Sequence, residues 1–212
     1  MRERIVSLPV PPPRARAVPW RDVEYVALDF ETTGLDFRTD TVISYGVVPV
    51  RHGRAIVGES AHQLIEPHVP PSPRSQTIHE LRPQDLAGSP SLAQARDEFR
   101  AALDGRYLLV WFAGVEVHFL DTIFGGGRRR WRRRTIDVRN LAIAVDGGPG
   151  SARETPGYPL SGTAARYGVP VADAHQALDD ALVTAQLFLV LVGKLPHDPD
   201  PTVRDLVRLG RP

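Results

Sequence analysis

The spacing of apolar residues changes period several times along this 212-residue chain, and each change marks an element. Alternating or continuous apolar runs at residues 25–30, 41–50 and 55–65 predict strands. Arg51-His52-Gly53-Arg54 reads as a hairpin turn between the second and third, so these three predict an antiparallel meander. A connection carrying Pro67, Pro70, Pro71 and Pro73 then leads to short helical pieces near 77–81 and 83–86. Residues 91–103 place Leu92, Ala95, Phe99, Ala102 and Leu103 at helical spacing. A buried strand at 107–111 follows, then a helix at 115–124 that the glycines 125–127 end. Residues 135–138 predict a last short strand leading into a helix through Val145. Beyond a Gly- and Pro-rich loop at 147–159, helices are expected near 160–167 and 177–192.

Strands that first form a meander and later alternate with helices predict an α/β fold, a mixed sheet covered by helices on both faces. The expected organisation is a Pro- and Arg-rich arm over 1–22, one domain over 23–194, and a tail over 195–212 with one short helical turn. At 42% hydrophobic and 24% charged residues, the chain suits a single globular domain with a sizeable core. No apolar run reaches membrane-spanning length, and Pro9, Pro11, Pro12 and Pro13 occupy the place of a signal peptide's apolar segment. A cytoplasmic location and no membrane partner are therefore expected. The absence of cysteine excludes disulfides, thiolate metal sites and cysteine nucleophiles. Carboxylates and seven histidines remain as ligands, a set that suits hard, oxygen-seeking ions better than zinc.

A net charge of +1 conceals an uneven distribution, because 25 of the 26 basic residues are arginine. Six of them stand in Arg128-Arg129-Arg130-Trp131-Arg132-Arg133-Arg134. Planar guanidinium forks match phosphate oxygens, and an embedded Trp offers a surface on which a base can stack. The same run is equally compatible with a solvated loop made flexible by the preceding glycines.

The chemistry concentrates in two segments. In Asp29-Phe30-Glu31-Thr32-Thr33-Gly34, strand alternation points Phe30 to one face and Asp29 and Glu31 together to the other. Paired carboxylates repel one another unless cations neutralise them, so a strand-end acidic pair is a candidate divalent-metal site. The second segment is His175-Gln176-Ala177-Leu178-Asp179-Asp180, which opens an apolar helix. In one continuous helix His175 and Asp180 would lie about 140° apart, with Asp179 only about 40° from His175. Asp180 joins His175 at one site only if the histidine precedes the regular helix; a capping box from Asp173 to Gln176 would start the helix earlier. Local geometry leaves both arrangements open.

Taken in order, Asp29-Phe30-Glu31-Thr32-Thr33-Gly34, Thr77-Ile78-His79, and His175 followed five residues later by Asp180 resemble the DEDDh exonucleases. That superfamily includes the proofreading epsilon subunits of bacterial replicative DNA polymerases and ribonuclease T-like enzymes. The likeness runs from about residue 24 to 191 and includes the stretch from Leu160 to Val169. It implies a ribonuclease H-like fold with a mixed five-stranded sheet, two Mg²⁺ or Mn²⁺ ions, and removal of nucleotides from 3′ ends. Carried over residue by residue, it makes Asp29, Glu31 and Asp180 metal ligands and His175 the general base.

The chain departs from the family at its middle acid, usually the aspartate of an H-N-x-x-F-D segment. Here Trp111-Phe112-Ala113-Gly114-Val115-Glu116 fills that space, which puts Glu116 at the acid's position. The added methylene moves the carboxylate by about 1 Å, enough to cost on the order of a hundredfold in rate. Asp121, about 140° around the helix from Glu116, reads as a surface acid. Four carboxylates, Asp29, Glu31, Glu116 and Asp180, carry a charge that two divalent ions balance. Thr32, Thr33 and Gly34 are expected to hold the terminal nucleotide, Leu35 to wedge under its base, and His79 to touch the substrate.

The expected partner is nucleic acid with a free 3′ end, single-stranded DNA or RNA; no polymerase-binding pattern is readable. The leading expectation is a DNA 3′–5′ exonuclease acting in proofreading or repair. An RNA-trimming enzyme and a binding or scaffold protein with a decayed nuclease site are the alternatives.

Overall fold

The computed structural model describes residues 8–14, 17–147, 158–172, 176–195 and 200–212. Its centre is a mixed sheet. β1 (Tyr25–Thr32) pairs antiparallel with β2 (Val42–Arg51), whose outer edge carries both β3 (Arg54–Ala55) and β4 (Ala61–Leu64). On its other side β1 pairs parallel with β5 (Tyr107–Val110), which pairs parallel with β6 (Thr135–Asp137). The sheet is thus five columns wide, as the meander and the later strand–helix alternation predicted.

The third predicted strand, 55–65, is broken in two. A 3-10 turn at Val57–Glu59 interrupts it, with the Ser60 hydroxyl and backbone amide both donating to the Val57 carbonyl. Local hydrogen bonding around Gly58 there replaces the ladder.

Strand alternation divides the core between the two faces. Val26, Leu28, Phe30, Tyr45, Leu108 and Val110 pack against α3 (Leu92–Leu103) and α4 (Ala113–Phe124). Tyr25, Ala27, Val48, Tyr107, Leu109 and Ile136 face α6 (Val138–Val145), α7 (Leu160–Tyr167) and α8 (Ala177–Val192). Both strongly apolar helices, α4 and α8, therefore lie against β1 from opposite sides. Of the remaining short helices, α1 (Pro73–His79) begins earlier than predicted, because Ser72 caps it by accepting from the Ser75 amide and Pro73 starts its first turn. α2 spans Pro83–Leu86 as predicted.

Two expectations change. The arginine run is not a loose loop: residues 128–132 form α5 (Arg128–Arg132), and Trp131 is buried, its indole N–H donating to the Gly125 carbonyl at 2.9 Å. Trp131 is therefore an anchor and not a base-stacking platform. Arg134 is likewise buried, its guanidinium spent on the backbone carbonyls of Leu103 and Arg106. At the C-terminus, α9 (Val203–Leu209) is a two-turn helix rather than one loose turn. Val203 and Leu206 enter the core, and the Asp137 amide donates to the Gly210 carbonyl at 2.8 Å, covering the exposed edge of β6. Among the described residues, no helix is long and apolar enough to cross a membrane.

Candidate active site

Asp29 and Glu31 stand near the C-terminal end of β1, on the face that α8 covers. A close backbone approach puts α8 over them. Gly46 on β2 lies directly across from Asp29, and a Cβ built on it would fall nearer than 3.0 Å to the backbone of Ala177 and Leu178. Only glycine allows the first turn of α8 to rest on the strand this closely. Because α8 begins at Ala177 with Gln176 as its N-cap, Asp180 falls in that first turn. Carboxylate oxygens of Asp29, Glu31 and Asp180 lie within 4.8 Å of one another. Gln176 is extended and α8 starts after it; Asp173 and His175, on which the capping box and the general-base assignment fall, lie outside the described residues.

Glu116 approaches from the other layer, in the first turn of α4. It is 4% exposed, and its Oε2 has no hydrogen-bond partner among the described residues. An orphaned buried carboxylate oxygen beside three clustered carboxylates is the donor set that a hard divalent cation satisfies. Asp137 fixes the turn that carries Glu116: its Oδ2 accepts from the Ala113 amide and its Oδ1 from the Asn140 amide, both at 3.0 Å. One carboxylate thereby ties together the N-termini of α4 and α6. Sequence reasoning missed Asp137 and Gly46. Asp137 precedes the helix in a cap position, a readable sign, whereas nothing local marks Gly46.

The electrostatics follow from burial and crowding. Asp29 is held well above the ordinary carboxylate range, first by desolvation, then by the charges of Glu116, Glu31 and Asp180. Burial, reinforced by Asp180, pushes Glu31 up to about 8. Burial pushes Glu116 up to about 8 as well, its own backbone amide opposing and Asp137 adding. Without cations Glu31 and Glu116 keep their protons at neutral pH.

A cavity of about 420 Å³ opens beside Glu31 and Glu116. Thr32, Gly34, Leu35 and His79 line it, as do Arg74, Ser75 and Ile78, which sequence reasoning did not single out. Leu35 is 67% exposed and Ile78 47% exposed, which gives the rim two apolar side chains. His79 is buried and works as a strut. The Leu81 amide donates to its Nδ1 at 3.0 Å, which leaves the proton on Nε2. That nitrogen donates to Ser75 Oγ at 3.0 Å, and the hydroxyl donates to the Thr32 carbonyl at 2.5 Å. The chain of bonds ties α1 to the end of β1 just past the acids. Thr33 does not line the cavity: it is fully buried, its hydroxyl donating to Asp40 Oδ1 and accepting from the Thr41 amide. Gly34 admits that Asp40 side chain, which a Cβ there would displace.

The chain and its fold are similar to known proteins. The chain is 32% identical over 177 residues to the PolC-type DNA polymerase III of Thermotoga petrophila, covering 82% of this chain but only 12% of that relative's length. It is 27% identical over 195 residues to the epsilon subunit of DNA polymerase III from Treponema pallidum, covering 88% of each. In fold it is similar to E. coli exonuclease I, solved with a dA16 oligonucleotide, at a TM-score of 0.70 and 16% identity over 83% of this chain and 42% of that one. The RNase_T exonuclease model matches residues 26–188, from the start of the central strand to within the helix that carries Asp180. The chain therefore belongs to that exonuclease family, and the acids at the end of β1 lie in an exonuclease domain.

Proposed function

We propose that this chain is a metal-dependent 3′–5′ exonuclease that releases nucleotides from the 3′ ends of DNA. The observation that carries the proposal is the meeting of Asp29, Glu31 and Asp180, with oxygens within 4.8 Å, beside a cavity with an apolar rim. Asp29, Glu31, Glu116 and Asp180 would hold two Mg²⁺ or Mn²⁺ ions, which would supply water activation and neutralisation of the leaving oxygen. The other roles belong to the chain. Leu35 and Ile78 cover the faces of the terminal base, while Arg74 offers its phosphate a charged partner. The Ser75–His79 strut keeps Thr32 at the strand end, so the nucleotide is held against the acids. His175, which precedes α8, takes the proton of the attacking water. DNA is favoured over RNA because the similar proteins include DNA polymerase III chains and an exonuclease solved with dA16. A cytoplasmic setting fits such a substrate.

The test is a 5′-labelled single-stranded 20-mer incubated with Mg²⁺ or Mn²⁺. Stepwise shortening from the 3′ end, abolished by EDTA and by Asp29→Ala, is the expected result. No metal-dependent shortening, with Asp29→Ala indistinguishable from the parent, overturns the proposal in favour of a binding protein with a decayed site. Faster degradation of the matched RNA oligonucleotide reassigns the substrate.

A further inference from the structure

Away from the acids, two arginine stripes that are about seventy residues apart in sequence line one groove of about 640 Å³. Arg129, Arg132 and Arg133 share one side of the α5 segment at spacings i, i+3 and i+4. From α9 and its end come Arg204, Arg208 and Arg211 at i, i+4 and i+7. All six are exposed, and Val207 and Pro212 complete the lining, with no Asp or Glu side chain in it. Among the described residues only Arg208 is ion-paired, to Asp205 at 3.4 Å.

Both walls are anchored from behind. Trp131 roots α5 in the core, Val203 and Leu206 root α9, and the Gly210 backbone sits so near Ile136 that a Cβ there would lie 2.6 Å from its Cγ2. Six guanidiniums held together, with a carboxylate paired to just one of them among the described residues, repel one another, and a row of phosphates relieves that repulsion.

The groove's position relates it to the acids. Its α9 end lies beside α6, where the Asn140 side chain donates to the Arg211 carbonyl at 2.9 Å. Asn140 belongs to the same helix start that Asp137 ties to the turn carrying Glu116. Its α5 end lies beyond the far end of α4, whose twelve residues span about 18 Å, or about five phosphates at the spacing of one strand of a duplex. Phe112, the N-cap of α4, is exposed, with the Arg139 guanidinium over its ring at 5.6 Å.

We propose that this groove binds the phosphate backbone of the nucleic-acid strand several nucleotides to the 5′ side of the 3′ end being removed. The inference rests on the exonuclease reading for its direction, but the binding itself does not. Two triple variants, R129Q/R132Q/R133Q and R204Q/R208Q/R211Q, test the two walls independently. Fluorescence anisotropy of labelled dT20 and dT3 on the full chain in EDTA reads affinity without cleavage.

Six contacts give a slope of log affinity against log salt of about −4, and each triple variant flattens it by about 2. Between 50 and 200 mM salt the parent should lose about 300-fold in dT20 affinity and each variant about 20-fold. In Mg²⁺ or Mn²⁺, both variants should raise KM for the 20-mer at least tenfold, with kcat and the KM for the trimer unchanged. A parental salt slope in both variants, or equal losses for dT20 and dT3, overturns the groove while leaving the exonuclease reading intact. Absence of cleavage in the parent, with the dT20 slope still falling in the variants, overturns only the exonuclease reading.

Discussion

Gly46→Ala is the sharpest probe of how this site is built. The new methyl group meets the backbone of Ala177 and Leu178 inside the 3.0 Å that Cβ atoms keep, and backbone cannot rotate away as a flexible side chain can. Relief requires the first turn of α8 to retreat by about 1 Å, and Asp180, three residues on, retreats with it. The cluster of Asp29, Glu31 and Asp180 then opens on one side. Misplacement of a reacting group by that amount costs on the order of a hundredfold in rate. Overpacking also costs about 1–3 kcal/mol of stability. Single-turnover degradation of a 20-mer at saturating Mn²⁺, with a Mn²⁺ titration and a melting curve, measures all three. The expected result is a rate near one hundredth of the parent and weaker Mn²⁺ binding. Leu103→Ala is the control: it removes a fully buried side chain at the end of α3, costs about 2–5 kcal/mol, and leaves the acids in place. A Gly46→Ala rate within threefold of the parent would refute the claim that the α8 contact sets the position of Asp180.

Three further outcomes are expected. Glu31 and Glu116, each pushed up to about 8 from an ordinary 4.5, keep protons in the folded chain that the unfolded chain releases. Metal-free stability therefore falls as pH rises from about 4.5 to 8. Mg²⁺ or Mn²⁺ at a hundred times its Kd should restore about 2.7 kcal/mol, or about 5–11 °C in Tm, at pH 8; a metal-free melting profile flat across that window would contradict the burial argument. Ser75→Ala cuts the bond to the Thr32 carbonyl and the bond with His79 Nε2, at about 1–3 kcal/mol. It should raise KM for the 20-mer more than it lowers kcat, and parental kinetics would remove the strut from the account. Asp137→Ala leaves the Ala113 and Asn140 amides without their acceptor and loosens Glu116; a tenfold or greater loss of kcat is expected, and an unchanged kcat would show that the α4 turn needs no such tie.

What the sequence revealed and what it hid follow from the range of the forces involved. Alternation along β1 is a local consequence of backbone geometry, so the shared face of Asp29 and Glu31 was legible. The body of helix α8 was legible because the largely apolar run from Ala181 to Val192 carries it. The choice between its two possible starts was not legible, because it turns on Gly46, which sits about 130 residues earlier and carries no side chain to signal a contact. Trp131 misled for a related reason. Its neighbours are all arginine, yet one indole placed in a core outweighs five solvated charges in fixing the segment, and the charges follow the anchor. The same logic explains α9, where two buried apolar residues, Val203 and Leu206, with Val207 and Leu209 packed beside them, suffice once β6 offers them an edge. Charge pattern alone therefore says little about whether an arginine run is ordered; the apolar residue within it decides, and here it turns a loose run into one wall of a groove.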